Sequence, residues 1–175
     1  DDAQKSNPNS VIIDDSGRGF RKVVASPIPI DFLGINTFKK TSETGACVII
    51  GGGGGIPVIK SNDGYDEIDG VIDKDFALSK ISEKLDADIL IILTAVDYVY
   101  VNYNKPNQKK LEVVNIKSLN KYIDENQFAP GSMLPKIQAA INFVEGNNKR
   151  VAIIADLNKV EEALEGTSGT RIVYE

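Results

Sequence analysis

The stretch DKDFALSKISEKLDADILIILT, residues 73–94, holds two hydrophobic periods back to back, and its reading decides the fold class. Over residues 73–85 the spacing of Phe76, Leu78, Ile81 and Leu85 suits one face of an amphipathic helix. Residues 87–94 are apolar almost throughout, the composition of a strand buried on both faces. The same alternation recurs downstream: helices are expected over 116–125, 133–145 and 158–164, and strands over 150–155 and 170–174. Strands separated by helices of this length need crossover connections. The expected fold is therefore α/β, a three-layer αβα sandwich around a mostly parallel sheet.

Upstream of this core the pattern is looser. Residues 11–13 and 20–24 read as short strands joined across an Asp/Ser/Gly-rich turn, a hairpin appended to the main body. A short helix is expected over 37–44, ended by Gly45, and the apolar run 46–50 reads as a buried strand. Five glycines follow it directly, at 51–55; residues 56–60 are then extended, and Asn62, Asp63 and Gly64 turn the chain.

Composition removes several function classes. With no histidine among 175 residues, imidazole cannot serve as base, acid or metal ligand. The 25 acidic against 20 basic residues leave a net charge of −5, which argues against a nucleic-acid partner, because phosphate backbones are met by basic stripes. Cys47 is the single cysteine, so no intrachain disulfide forms; inside its apolar run it is expected as a buried thiol in an intracellular protein. No run approaches the roughly 18 to 20 apolar residues of a membrane helix, and the polar start is unlike a signal peptide, so a cytoplasmic protein without a membrane partner is expected. The first methionine is Met133, which reads as a chain cut from a longer parent.

In an open α/β sheet, ligands collect beyond the carboxyl ends of the strands. Four stretches in such places carry candidate chemistry. Glycines lack Cβ atoms, so residues 51–55 can aim backbone N–H groups at one anion, or form only a mobile loop; Ile-Pro-Val after them excludes a Walker A motif. In VIDKDFA, Asp73, Lys74 and Asp75 open a helix, which is ordinary capping chemistry, or a Lys and Asp set to handle a transferring phosphoryl group. In FAPGSMLPKI, Gly131 and Ser132 precede a helix whose first turn carries Pro135 and Lys136: a phosphate seat, or plain helix-start signals. In LTAVDYVYVNYNKPNQ, Thr94, Asp97 and the tyrosines at 98, 100 and 103 could hold a purine and ribose, or simply pack.

Taken together, GRGFRKVVASPIPI, GGGGGIPVI, GVIDKDFA, ILTAVDYVYVNYNKPNQ, FAPGSMLPKIQAAINFVE and ALEGTSGTRIV resemble the carbamate kinases of the amino acid kinase superfamily, in order and spacing, from Asn7 to Val173. The resemblance implies phosphoryl transfer between ATP and carbamate, with carbamoyl phosphate and ADP as the other pair, as in arginine fermentation. Gly52, Gly53, Gly54 and Gly55 would line the phosphoryl and carbamate end of the cleft. Lys74 would contact the transferring group, Asp75 would organise the lysines, and Lys136 would bind nucleotide phosphates. Thr94, Asp97, Tyr100, Gly131, Ser132 and Met133 would surround the nucleotide. Mg²⁺ would arrive with ATP or ADP, and a homodimer is implied.

The resemblance also divides the chain: 1–25 as the remnant of a protruding hairpin subdomain, 26–75 as part of the substrate half, and 76–175 as the nucleotide half. The family's opening strand, with its Gly-Gly-Asn and Gly-Asn-Gly loops, has no counterpart in these residues, so the site is expected to be incomplete within them. Ala95 stands where the family carries Asp, Leu134 where it carries a small residue, and Ala25 where it carries Pro. A nucleotide-binding pseudo-enzyme, an incomplete fragment, or another superfamily kinase such as one acting on UMP are the alternatives.

Overall fold

A computed structural model describes residues 11–14 and 19–175. In chain order the elements are β1 (Val11–Asp14), β2 (Phe20–Val23), α1 (Ile35–Glu43), β3 (Val58–Ser61), β4 (Gly64–Glu67), α2 (Lys74–Lys84), β5 (Ile89–Thr94), β6 (Val99–Val101), β7 (Lys109–Leu111), β8 (Val113–Asn115), α3 (Ile116–Asp124), α4 (Met133–Val144), β9 (Val151–Asp156), α5 (Val160–Glu165) and β10 (Thr170–Val173). The expected hairpin is present as the antiparallel pair β1 and β2; part of its turn lies outside the described residues.

The central sheet has four strands in the order β5-β9-β10-β8. β5 runs parallel to β9 and β8 parallel to β10, while β9 and β10 are antiparallel. The sheet is thus mixed with parallel pairs in the majority, and helices cover both faces. Along β9 the two-residue period sorts the side chains. Ala152 and Ile154 join the main core with Leu90 and Ile92 of β5, Ile172 of β10 and Ile137, Ala140 and Val144 of α4. Ile153 and Ala155 face the other way and bury Ala163 of α5 against them. All four β9 residues are fully buried, so this strand sits at the middle of the sandwich.

Local signals set the helix ends. Asp73 is the N-cap of α2: its carboxylate accepts from the N–H of Asp75 at 2.8 Å and of Phe76 at 3.4 Å. Asn115 does the same for α3, accepting from the Ser118 N–H at 2.9 Å. Arg150, just before β9, closes the other ends. Its guanidinium donates to the carbonyls of Glu83 and Phe143, at the C-terminal ends of α2 and α4, and pairs with Asp86.

Two expectations fail upstream. Residues 46–50 form no strand; Ala46, Cys47 and Ile49 are exposed, Ile49 at 96%. An apolar run becomes a strand only when a neighbour accepts its backbone groups, and no described strand pairs with it. Cys47 is accordingly an exposed thiol, not a core residue. Between residues 95 and 115, where the sequence reading assigned no strand, there are three short ones: the antiparallel hairpin β6–β7 and the sheet strand β8. β5 is less enclosed than expected, with Ile89 and Leu93 partly exposed.

Candidate active site

α2 and α4 pack against each other and bring Lys136 to Asp75, 61 residues away, beside Lys74. Lys136, in the first turn of α4, places its ammonium 2.7 Å from Asp75 Oδ2; Lys74 places its own 3.2 Å from the same oxygen. The capping and catalytic readings of the Asp-Lys-Asp triplet therefore divide between two carboxylates. Asp73 caps the helix, which leaves Asp75, 5% exposed, to hold the ammonium groups. Lys136 is largely enclosed, its side chain 13% exposed, whereas that of Lys74 is 60% exposed and reaches toward solvent. Burial pulls the pKa of Lys74 down, but the Asp75 carboxylate beside it outweighs that and holds it above the ordinary lysine value.

Two hollows meet at this cluster. One, of about 340 Å³, is lined by Ile50, Gly51, Gly52, Gly54, Lys74 and Asp75 together with apolar residues of α2 and β5. The glycine run is bent into a turn in which the Gly54 N–H donates to the Gly51 carbonyl at 2.9 Å. Gly54 has φ +127°, and a Cβ there would lie 2.2 Å from the Ile72 carbonyl oxygen, so only glycine fits. Its N–H is spent inside the turn and is not offered to an anion, contrary to the sequence expectation. Gly51 and Gly52 present their backbone to the hollow, while Gly53 and Gly55 lie outside its lining.

The other hollow, of about 230 Å³, is lined by Thr94, Val96, Tyr98, Tyr100, Tyr103, Gln127, Phe128, Ala129, Ser132, Met133 and Lys136. Three tyrosines, a phenylalanine and a methionine make its walls flat and apolar, and Lys136 supplies a cation at one end. Ser132 precedes α4 but makes no side-chain cap; the Ala129 carbonyl instead accepts from the N–H groups of Ser132 and Leu134. Gly131 is exposed and outside the lining. Asp97 also lies outside it. Its Oδ1 accepts the Tyr100 hydroxyl at 2.7 Å, which lowers the Asp97 pKa and raises that of Tyr100 to about 12.

Leu134, partly buried, packs against the main core and does not line this hollow. Val96 and Gln127 were not anticipated. Gln127 lies directly before the FAPGSM stretch, and its Oε1 accepts from the Asn102 N–H at 2.8 Å, a partner 25 residues away that no local pattern reveals.

A family model described as "Amino acid kinase family" matches residues 21–155. A carbamate kinase-like protein of Mycoplasma pneumoniae is 53% identical over 171 residues, covering 98% of this chain and 55% of the relative. A carbamate kinase of Clostridium perfringens is 54% identical over 160 residues, covering 91% of this chain and 51% of the relative. The structure of carbamate kinase from Giardia lamblia bound to AMP-PNP superimposes with a TM-score of 0.90 at 37% identity, covering 99% of this chain and 55% of that one. The chain thus spans about half the length of the relatives it matches. The twin-lysine cluster, the sandwich that carries it and a family match over most of the described residues lead to one conclusion: this chain belongs to the amino acid kinase family.

Proposed function

We propose that the protein carrying this chain is a carbamate kinase, a phosphotransferase that moves a phosphoryl group reversibly between ATP and carbamate. The observation that carries this reading is the shared Asp75 oxygen. It holds Lys136 at the end of the tyrosine-walled hollow and Lys74 at the rim of the glycine-lined one, so a phosphoryl group passing between them travels beside two fixed cations. The carbamate kinases among the relatives, one of them bound to AMP-PNP, support the kinase reading.

Toward ATP, an oxygen of the ADP β-phosphate attacks the phosphorus of carbamoyl phosphate. The bond from phosphorus to the carbamate oxygen breaks, and carbamate leaves with the electron pair. The attacking oxygen is already anionic and the leaving group departs as an anion, so no proton has to move and no histidine is required. What the reaction needs is alignment and charge neutralisation. Thr94, Tyr100, Ser132 and Met133 hold the nucleoside, Asp97 acting through Tyr100, while Gly51 and Gly52 admit the carbamoyl phosphate. Residues 26–75 then serve the carbamate side, joined there by apolar residues of α2 and β5, and the rest of 76–175 serves the nucleotide side. Mg²⁺ would be carried in by the nucleotide's phosphates. Bound that way, the ion neutralises phosphate charge.

The test is ATP formation from ADP and carbamoyl phosphate by the full-length protein, coupled to a hexokinase readout. Turnover that falls by orders of magnitude in Lys136→Ala, with the fold unchanged, supports the reading. Phosphorylation of UMP in preference to carbamate overturns it, and nucleotide binding without turnover makes the protein a pseudo-enzyme.

A further inference from the structure

The tyrosine-bearing hairpin β6–β7 is a separate two-stranded unit outside the central sheet. One end of it is tied to the sheet by the chain itself, since β7 runs through Glu112, whose carbonyl accepts from the Arg171 N–H at 2.8 Å, into β8; among the described residues the β6 side has no such backbone link. At its base, Val99 and Leu111 are register partners. Thr170, the first residue of β10 and fully buried, reaches both of them with one hydroxyl: Oγ1 accepts from the Val99 N–H at 2.8 Å and donates to the Leu111 carbonyl. Val99 and Leu111 are themselves buried, so without that hydroxyl a donor and an acceptor would both be left unpaired away from water. At the far end of β6 the Asn102 N–H is taken by Gln127, which lines the hollow from the other side. The Tyr98 hydroxyl adds a weaker link, donating to the Thr167 carbonyl at 3.4 Å, but among the described residues Thr170 is the one group that bonds both strands of the hairpin.

We propose that Thr170 is a positioning residue for the nucleotide: it anchors the β6–β7 hairpin to the central sheet and so sets the distance from the tyrosine wall to Lys136. The inference rests on the nucleotide reading of that hollow. A wall that is free to shift no longer holds a nucleoside with its phosphates at Lys136, and the loss appears in nucleotide affinity before it appears anywhere else. The carbamoyl phosphate side is lined by the glycine turn, α2 and β5, and none of these supplies a partner to the Thr170 hydroxyl.

Thr170→Val keeps the shape and removes the hydroxyl; Thr170→Ser keeps the hydroxyl. In the full-length protein, Thr170→Val should weaken AMP-PNP binding by calorimetry, and raise the KM for ADP, about tenfold or more, as the loss of two buried hydrogen bonds would. The KM for carbamoyl phosphate should stay unchanged, and Thr170→Ser should remain near wild type. Equal AMP-PNP affinity in a folded Thr170→Val protein overturns the proposal, as does a parallel rise of both KM values or a failure of Ser to rescue. If Thr170→Val does not fold, amide exchange on the wild type decides. Val99 should then exchange as slowly as the β9 core, and rapid exchange overturns the anchor. A wild-type protein that binds no AMP-PNP at all fails earlier and removes the nucleotide reading itself.

Discussion

Replacing Asp75 by Asn keeps the shape of the side chain and removes the charge that two ammonium groups share. The cost can be worked limb by limb. Asp75 and Lys136 have side chains 7% and 13% exposed, and uncoupling such a pair leaves a nearly buried ammonium without its counter-charge. Breaking a buried pair by removing one partner costs about 3–5 kcal/mol, and the residual exposure of Lys136 puts this case near the lower end. The Lys74 limb, with that side chain 60% exposed and screened by water, contributes about 0–1 kcal/mol. Lys136→Met costs less than Asp75→Asn, because Lys74 stays beside the carboxylate; about 2 kcal/mol is expected from the same considerations. The predicted order is therefore Asp75→Asn, then Lys136→Met, then Lys74→Met. Urea unfolding followed by circular dichroism measures it: with a slope of about 2 kcal/mol per molar urea, Asp75→Asn should lower the midpoint by about 1.5 M. A neutral Asp75→Asn, or Lys74→Met as damaging as Lys136→Met, would refute the reasoning.

Other perturbations have distinct signatures. Tyr100 holds its proton up to about 12 because its hydroxyl donates to Asp97, so its native pKa lies above the unfolded value; the stability this contributes is complete below pH 10 and is lost as pH climbs toward 12. Ultraviolet titration should show one tyrosine ionising last, and Tyr100→Phe should abolish that step; its persistence in the variant would contradict the assignment. Gly54→Ala drives a Cβ into the Ile72 carbonyl at positive φ and should cost about 2 kcal/mol or more, whereas Gly53→Ala meets nothing and should be near neutral; thermal melts that fail to separate them sink the turn argument. Arg150→Met removes the donor that closes α2 and α4 and should cost about 2 kcal/mol by chemical denaturation, with no change in nucleotide affinity.

Where local chemistry suffices, the molecule could be read in advance. The helix over Lys74–Lys84 and the strand over Ile89–Thr94 follow from apolar spacing and an Asp cap, and the expected helices and strands beyond residue 115 lie within a residue or two of those found. The meeting of Lys74 and Lys136 at Asp75 is what the family resemblance implied; the residues around each lysine show by themselves only a helix start. What escaped notice depends on partners distant in the chain. Residues 46–50 are apolar enough for a strand, yet pairing decides, and no described strand takes them up. The short strands β6 to β8 do carry a two-residue period, with Val99 and Val101 buried either side of Tyr100, but the surrounding Asn, Pro and Lys residues read as loop. Thr170, Gln127 and Arg150 act through hydrogen bonds to backbone groups up to 71 residues away, and such links leave no periodic trace.

The central claim is spatial: a nucleotide's phosphate chain runs from the tyrosine hollow past Lys136 toward the glycine turn. A crystal structure of the full-length protein with AMP-PNP tests it directly. The account predicts the base between the hairpin tyrosines and Met133, with the terminal phosphate within hydrogen-bond reach of Lys136 Nζ and turned toward Gly52. A nucleotide bound elsewhere, or one whose phosphates point away from the Asp75 cluster, would contradict it.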